Sequence, residues 1–477
     1  MRIKTYYKRK TTSALAKKIL QERGKKGDCA MKKISLFILS LIICLSACFS
    51  FGCGAAPSGG MTDGDKHAPD IGKPSGGIGE TAAPDTIPGD PTAGEDSGKD
   101  SSPGNEQDVT LPAGQLTAGA QNDNDYYSDW LKLFFNGQNS ADSGKFADKI
   151  GYFDLYSLDR VKVTVKSGDK PVEQAYVTCM SNDQKVLFNA MTDANGVAYL
   201  FPNSESGKIV VELTVQNVSV KKTVDFSADN RDLTVDIEKE APAKNNLIQL
   251  MFVVDATGSM GDEMRYLTAE LGDVIKRVVK NNGVKIDLGF LFYRDDCDKE
   301  KFFDVPFKDV TEEVNYREMQ NILAKQRAEG GGDYPEALDE ALLKAVNRNW
   351  AANATKIIFN VLDAPCHEES ENIKNYSSAV NAAAAKGIRI CPVMASGANM
   401  LTEYLVRQAA ILTGGTFTFI TDDSGIGGSH YDPDLPNVVV ERLNDLLVRL
   451  VEGYYTGTFA KPVYWKDAIR NELNGNG

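Results

Sequence analysis

The hydrophobic period of this 477-residue chain changes once, near Glu240. Upstream, apolar residues alternate with polar ones: Val161, Val163 and Val165; Val177 and Cys179; Val197, Tyr199 and Phe201; Val211, Leu213 and Val215; Leu233, Val235 and Ile237. A strand turns successive side chains to opposite faces, so each run buries one face and wets the other. Ser167-Gly168-Asp169, Asp193-Ala194-Asn195-Gly196 and Glu205-Ser206-Gly207 separate the runs as turns. Short strands at this spacing predict a small all-β sandwich within residues 126–240. Downstream, 247–254 is apolar except for one Gln, and Leu267, Leu271, Val274, Ile275 and Val278 follow at helical spacing. A strand apolar on both sides is covered on both faces. Further strands are predicted at 286–293, 357–362, 388–394 and 416–420. Helices are predicted at 312–328, 335–349, 373–386, 400–412 and 438–452. Alternating strands and helices make residues 245–455 an α/β domain with a doubly wound, mostly parallel sheet, followed by a C-terminal tail at 456–477.

The front of the chain has a different character. Residues 1–47 carry 12 Lys and Arg against 2 Asp and Glu, which leaves −23 on the rest of a chain whose total is −13. Phosphate backbones select basic surfaces, so the acidic remainder argues against nucleic acid as a partner. Met31-Lys32-Lys33 precedes an apolar run over 34–45, too short to span a bilayer and suited to an export signal. The run closes on Leu45-Ser46-Ala47-Cys48, which resembles the lipobox of bacterial lipoproteins. The resemblance implies cleavage before Cys48, lipidation of that cysteine and anchoring to the outer face of a bacterial cell membrane. Residues 1–30 fit this signal badly, and translation is expected to start at Met31. From Gly54 to Asp125 there is no aromatic residue, and Gly, Pro, Ser, Thr, Ala and Asp dominate. Such a stretch buries too little apolar area to offset its ordering entropy, so 49–125 reads as a disordered tether.

The first strand of the α/β domain ends Asp255-Ala256-Thr257-Gly258-Ser259. Gly330-Gly331-Gly332-Asp333-Tyr334-Pro335-Glu336 opens a later helix, and Leu362-Asp363-Ala364-Pro365 ends another strand. Wound outward both ways from its first strand, the sheet brings the Asp255 and Asp363 loops together at the switch point, where such sheets bind ligands. Short oxygen side chains from several loops suit a hard octahedral cation, whereas His or Cys suits zinc.

These motifs resemble the von Willebrand factor type A domain over roughly residues 245–455, in a bacterial and protozoan branch with the Gly-Gly-Gly-Asp-x-Pro-Glu loop. The resemblance implies a metal-ion-dependent adhesion site. Thr257 and Ser259 would bind Mg²⁺ (or Ca²⁺ or Mn²⁺) directly, and Asp255, Asp333 and Asp363 directly or through water. One position would stay open for a partner's carboxylate. Asp333 stands where the family usually has Thr, so three aspartates would surround the ion, holding it firmly and attracting an acidic ligand less. Asp333 also reads as a helix N-cap with Pro335 in the first turn and Glu336 at N3. Arg294, Asp295 and Asp422 either form a rim around the ion or are solvated turn residues. Cys366-His367 lies beside the site, and a Cys297–Cys366 disulfide is conceivable. Pro171-Val172, Ala175-Tyr176-Val177 and Thr192-Asp193-Ala194-Asn195-Gly196 resemble the regulatory β-sandwich of carboxypeptidases, which implies a spacer or binding module.

The expected function is therefore metal-dependent protein binding by a surface-anchored lipoprotein, with the protein ligand unknown. The alternatives are a structural subunit of an envelope complex whose metal only stabilises loops, or a metal-assisted hydrolase. The chain has only three histidines and no nucleophile elbow or phosphate loop, so it is not expected to be an enzyme.

Overall fold

The computed structural model describes residues 110–475 except 113, 136–143, 216–217, 239–245, 434 and 436–437. The expected signal, Cys48 and the tether up to residue 109 lie outside the described residues.

In chain order the elements are β1 (Thr117–Gln121), α1 (Tyr127–Lys132), β2 (Val161–Ser167), β3 (Lys170–Pro171), β4 (Tyr176–Met180), β5 (Val186–Met191), β6 (Val197–Leu200), β7 (Gly207–Val215), β8 (Val218–Phe226) and β9 (Asp232–Asp236). Then come β10 (Leu247–Asp255), α2 (Gly261–Asn282), β11 (Lys285–Tyr293), β12 (Phe302–Asp309), α3 (Glu313–Ala324), α4 (Leu338–Val346) and β13 (Thr355–Leu362). The chain closes with α5 (Ser370–Lys386), β14 (Ile388–Met394), α6 (Met400–Thr413), β15 (Phe417–Ile420), β16 (Glu441–Arg442), α7 (Leu443–Thr456) and α8 (Trp465–Leu473).

The large sheet has eight strands in the order β12-β11-β10-β13-β14-β15-β1-β16. From β11 to β15 every pairing is parallel; β12 and β1 join their neighbours antiparallel. The apolar run of β10 is explained by its two faces. Ile248, Leu250, Phe252 and Val254 pack with Leu267, Leu271, Val274 and Ile275 of α2, Met319 and Leu323 of α3, and Leu446 and Leu450 of α7. Met251 and Val253 belong to the opposite cluster with Leu338 and Leu342 of α4, Val380 of α5 and Leu405 of α6. Burial on both sides removes the period-2 signal and leaves continuous hydrophobicity.

Residues 161–236 form two four-stranded sheets, β3-β2-β6 with β9 on β2, and β5-β4-β7-β8. Val161, Val163 and Val165 from one sheet and Val177, Cys179, Ile209 and Val211 from the other lie in one buried cluster. Gly196, at φ +70°, turns the chain where a Cβ would stand 2.3 Å from the Val165 carbonyl. These sheets meet the α/β part through Gln174 Nε2 donating to Ala354 O at 3.2 Å and Asn195 Nδ2 to Gly457 O at 2.8 Å.

Two expected boundaries are corrected. The tether does not run to 125, because β1 pairs Ala118 with Ile420 on one side and Glu441 on the other. The all-β segment is thus inserted between the first and second strands of the α/β domain. The expected C-terminal tail carries a packed helix: Trp465 and Ile469 of α8 bury against Leu111 and Val440. The segment after β1 is fixed as well. Buried Arg407 of α6 donates to Asp123 through Nε (2.9 Å) and Nη2 (2.6 Å), and to Glu403 through Nη1 (2.9 Å), while Phe134 and Phe146 pack on Tyr404 and Trp130 packs on both phenylalanines.

Candidate metal centre

Three loops converge at the carboxyl ends of β10 and β13. Asp255 is the last residue of β10, and Asp363 directly follows β13, its parallel neighbour. Asp255 Oδ1 accepts from Thr257 N at 2.9 Å and Thr257 Oγ1 at 2.7 Å. Thr257 Oγ1 lies 3.2 Å from Ser259 Oγ, and the Ser259 hydroxyl bonds to Asp363. The structure thus brings together Asp255, Thr257, Ser259 and Asp363. The triple-glycine loop closes over them, with Gly258 N donating to Gly330 O and Glu329 N to Ala256 O. Gly331 (φ +88°) fits there because a Cβ would crowd both Glu336 Oε1 and Thr257 Cβ, each at 3.3 Å.

The second-loop acid beside Thr257 is Glu336, with which Thr257 makes a side-chain hydrogen bond. Asp333 is exposed, and its donors group with Asp295 and His367, all within 4.8 Å of one another. The N-cap reading of Asp333 is also corrected: the helix starts at Leu338 with Ala337 as N-cap and no side-chain cap. Glu336 N instead donates to Pro365 O at 2.9 Å, which ties the second loop to the third.

The electrostatics of this pocket are unusual. Asp255 Oδ2, Asp363 Oδ1, Glu336 Oε2 and Glu263 Oε2 are buried without a hydrogen-bond partner. Glu263, in the first turn of α2, reaches the pocket by accepting from Ser396 N at 3.1 Å and from the Ser396 hydroxyl. Burial pushes Asp255 up to about 7, with the charge of Asp363 adding to the rise. Asp363 goes up to about 6 through burial and the charge of Glu263. Glu336 goes up to about 9 through burial and the charges of Asp255, Asp295 and Asp363. Buried carboxylates this close repel unless a cation joins them. The donors are all oxygens, two of them neutral hydroxyls, and they fit a hard divalent ion.

The other expected residues sit around this centre. Arg294 does not neutralise it: Nη2 bonds Glu329 Oε1 at 2.9 Å and Nε reaches the Ala256 carbonyl at 3.4 Å. Asp422 Oδ1 lies 2.7 Å from His430 Nδ1. Cys297 and Cys366 are both free thiols; Cys366 is buried, and Cys297 Sγ donates to Asp295 Oδ2 at 3.3 Å. Three participants were not anticipated as site residues: Glu336, Glu263, and Tyr334, whose hydroxyl bonds the Asp363 and Gly397 carbonyls, both at 3.1 Å. Glu336 and Glu263 follow helix-start grammar, which disguises an inward carboxylate as a first-turn acid.

Residues 249–408 match the family model of the von Willebrand factor A domain. Over 156 residues the chain is 24% identical to an alpha-protein kinase, vwkA, of Dictyostelium discoideum, covering 32% of this chain. Over 142 residues it is 29% identical to an ariadne-like RING finger protein of Acanthamoeba polyphaga mimivirus, covering 28% of this chain. The matched part spans 24% of the first relative's length and 13% of the second's. A solved von Willebrand factor type A structure from Catenulispora acidiphila is similar over 54% of this chain and 48% of its own, at 11% identity and a TM-score of 0.31. The chain therefore carries a von Willebrand factor A domain with a mostly parallel sheet.

Proposed function

We propose that this von Willebrand factor A domain holds a divalent cation, Mg²⁺ or else Ca²⁺ or Mn²⁺, among Asp255, Thr257, Ser259, Asp363 and Glu336, and binds a protein partner there. The observation that carries the reading is the set of buried, unpartnered oxygens on Asp255, Asp363 and Glu336 at the carboxyl end of the sheet. A bound cation would supply the positive charge these groups lack and a site of attraction for an anionic group. The chain's own residues shape the pocket: Thr257 and Ser259 orient the carboxylates, and Tyr334 locks the third loop. Three acids around one divalent ion leave excess negative charge, which favours a resident cation over strong capture of a partner's carboxylate. This chemistry is binding, not turnover, and the domain is proposed to work without catalysis.

The Leu45-Ser46-Ala47-Cys48 motif supports an exported lipoprotein anchored through Cys48 to the outer face of a bacterial membrane. Pull-down from solubilised membranes tests the whole reading. A partner captured by the full chain, and lost both with EDTA and in Asp255→Ala, supports it. Capture indifferent to both instead supports a structural subunit with a stabilising metal. Turnover of any substrate that depends on Asp255 overturns the non-enzymatic reading.

A further inference from the structure

Beside the first pocket lies a cluster of different composition. Asp295 and Cys297 come from the loop after β11, Asp333 from the triple-glycine loop, and His367 from the loop after β13. His367 Nε2 lies 3.2 Å from Asp295 Oδ1, and Cys297 Sγ 3.3 Å from Asp295 Oδ2. One donor atom from each of Asp295, Asp333 and His367 falls within 4.8 Å of the others. Asp295 is buried, its side chain 3% exposed, so it cannot swing away into solvent.

The three loops are braced against one another independently of these side chains. Asp298 Oδ2 accepts from Asp295 N at 3.2 Å and from Gly331 N at 2.9 Å, which joins the first loop to the second. A single bridge between Glu336 and Cys366 joins the second to the third. Gly332 permits the approach: a Cβ there would stand 2.7 Å from Asp295 Oδ2 and 2.8 Å from Cys297 Sγ.

We infer that His367, Asp295, Asp333 and Cys297 form a second cation site, distinct from the oxygen-only pocket and built for a transition-metal ion such as Zn²⁺. The imidazole nitrogen is a borderline donor and the thiolate a soft one, and a four-coordinate zinc ion takes both alongside carboxylate oxygens, whereas Mg²⁺ prefers oxygen alone. Tetrahedral bonds of 2.0–2.3 Å put donors roughly 3.3–3.7 Å apart. The contacts of His367 Nε2 with Asp295 Oδ1 (3.2 Å) and of Cys297 Sγ with Asp295 Oδ2 (3.3 Å) come close to that spacing through different oxygens of Asp295. Asp295, Asp333 and His367 already stand within 4.8 Å of one another, and Cys297, on an exposed loop, has to move in to complete the set. Binding displaces the Cys297 thiol proton and any proton shared by His367 and Asp295.

The test is cobalt spectroscopy of the chelator-treated full chain, with Co²⁺ or Zn²⁺ alone as the probe. One Co²⁺ per chain is expected to give four-coordinate visible bands and a thiolate-to-cobalt charge-transfer band in the near ultraviolet, displaced by stoichiometric Zn²⁺. Cys297→Ser, on an exposed loop, should remove the charge-transfer band. His367→Gln and Asp333→Asn should each weaken Co²⁺ binding by more than about tenfold. Asp255→Ala should leave the spectrum intact, which separates this site from the first pocket. A spectrum unchanged by both Cys297→Ser and His367→Gln, or one abolished by Asp255→Ala, overturns the second site.

Discussion

Two buried clusters of charge lie in this α/β domain, and the chain completes one of them itself. Around Arg407, the carboxylates of Asp123 and Glu403 receive three hydrogen bonds from one guanidinium, Lys145 stands 2.6 Å from Glu403 Oε2, and Trp130 lies 5.2 Å from the guanidinium carbon. At the sheet end, Asp255, Asp363, Glu336 and Glu263 are equally buried, but each keeps one oxygen with no partner. Desolvation is costly in both places. The first is offset by a guanidinium and an ammonium, whereas among the described residues the second has only His430, 3.8 Å from Glu263 Oε1, so the first reads as architecture and the second as a receptor for a cation from outside.

The largest effect should come from breaking the self-contained cluster. Arg407→Met leaves Asp123 buried without its cation and Glu403 with Lys145 alone, and should cost about 3–5 kcal/mol, read as a lower midpoint in urea with an unchanged slope. An unaltered midpoint would show that the cluster is not buried in solution.

The next effect concerns pH. Asp255, Asp363 and Glu336 have folded-state values raised to about 7, 6 and 9 above ordinary values of 3.8, 3.8 and 4.5. Each is protonated in the metal-free fold where the unfolded chain is already ionised. Their contribution is full below about pH 4 and lost as pH rises through about 6 to 9. Metal-free protein should therefore melt at falling temperatures between pH 5 and 9, by an amount on the order of several kcal/mol. Saturating Mg²⁺ should suppress that fall. Arg407 is charged throughout this range and should add no such slope.

The smallest effect sharpens the contrast in the opposite direction. Asp363→Asn removes one repelling charge and keeps the shape. It should stabilise the metal-free protein at pH 8 by about 1–2 kcal/mol while removing the Mg²⁺ response. Loss of stability without metal would mean that the Ser259 hydrogen bond to the Asp363 carboxylate outweighs the repulsion.

Some of this was legible before the structure. Asp255, Thr257, Ser259 and Asp363 sit at ends of continuous apolar runs, and a strand's end fixes which edge of a parallel sheet its loop occupies. Glu336 was hidden because Asp333-Tyr334-Pro335-Glu336 follows the grammar of a helix start, while the loop's hydrogen bond to Pro365 delays the helix to Leu338. Strand β12 was hidden by Pro306, which suits only an edge, and β12 is the edge. Strand β1, Thr-Ala-Gly-Ala-Gln, carries no alternation. Its small residues are explained by the Phe419 ring, 2.6 Å from where a Gly119 Cβ would stand. That constraint comes from residues 300 positions away and leaves no local trace.

That strand also sets a timetable for folding. During synthesis, residues 117–121 emerge before the all-β insert, yet their partner Phe417–Ile420 comes last among the central strands. This earliest strand of the sheet must wait for its partner until residues 417–420 are made. Pairings of such long range are slow to close, and until closure β15 presents an open edge to other chains. A chain begun at residue 245 would keep every residue of the metal centre and still leave that edge permanently bare.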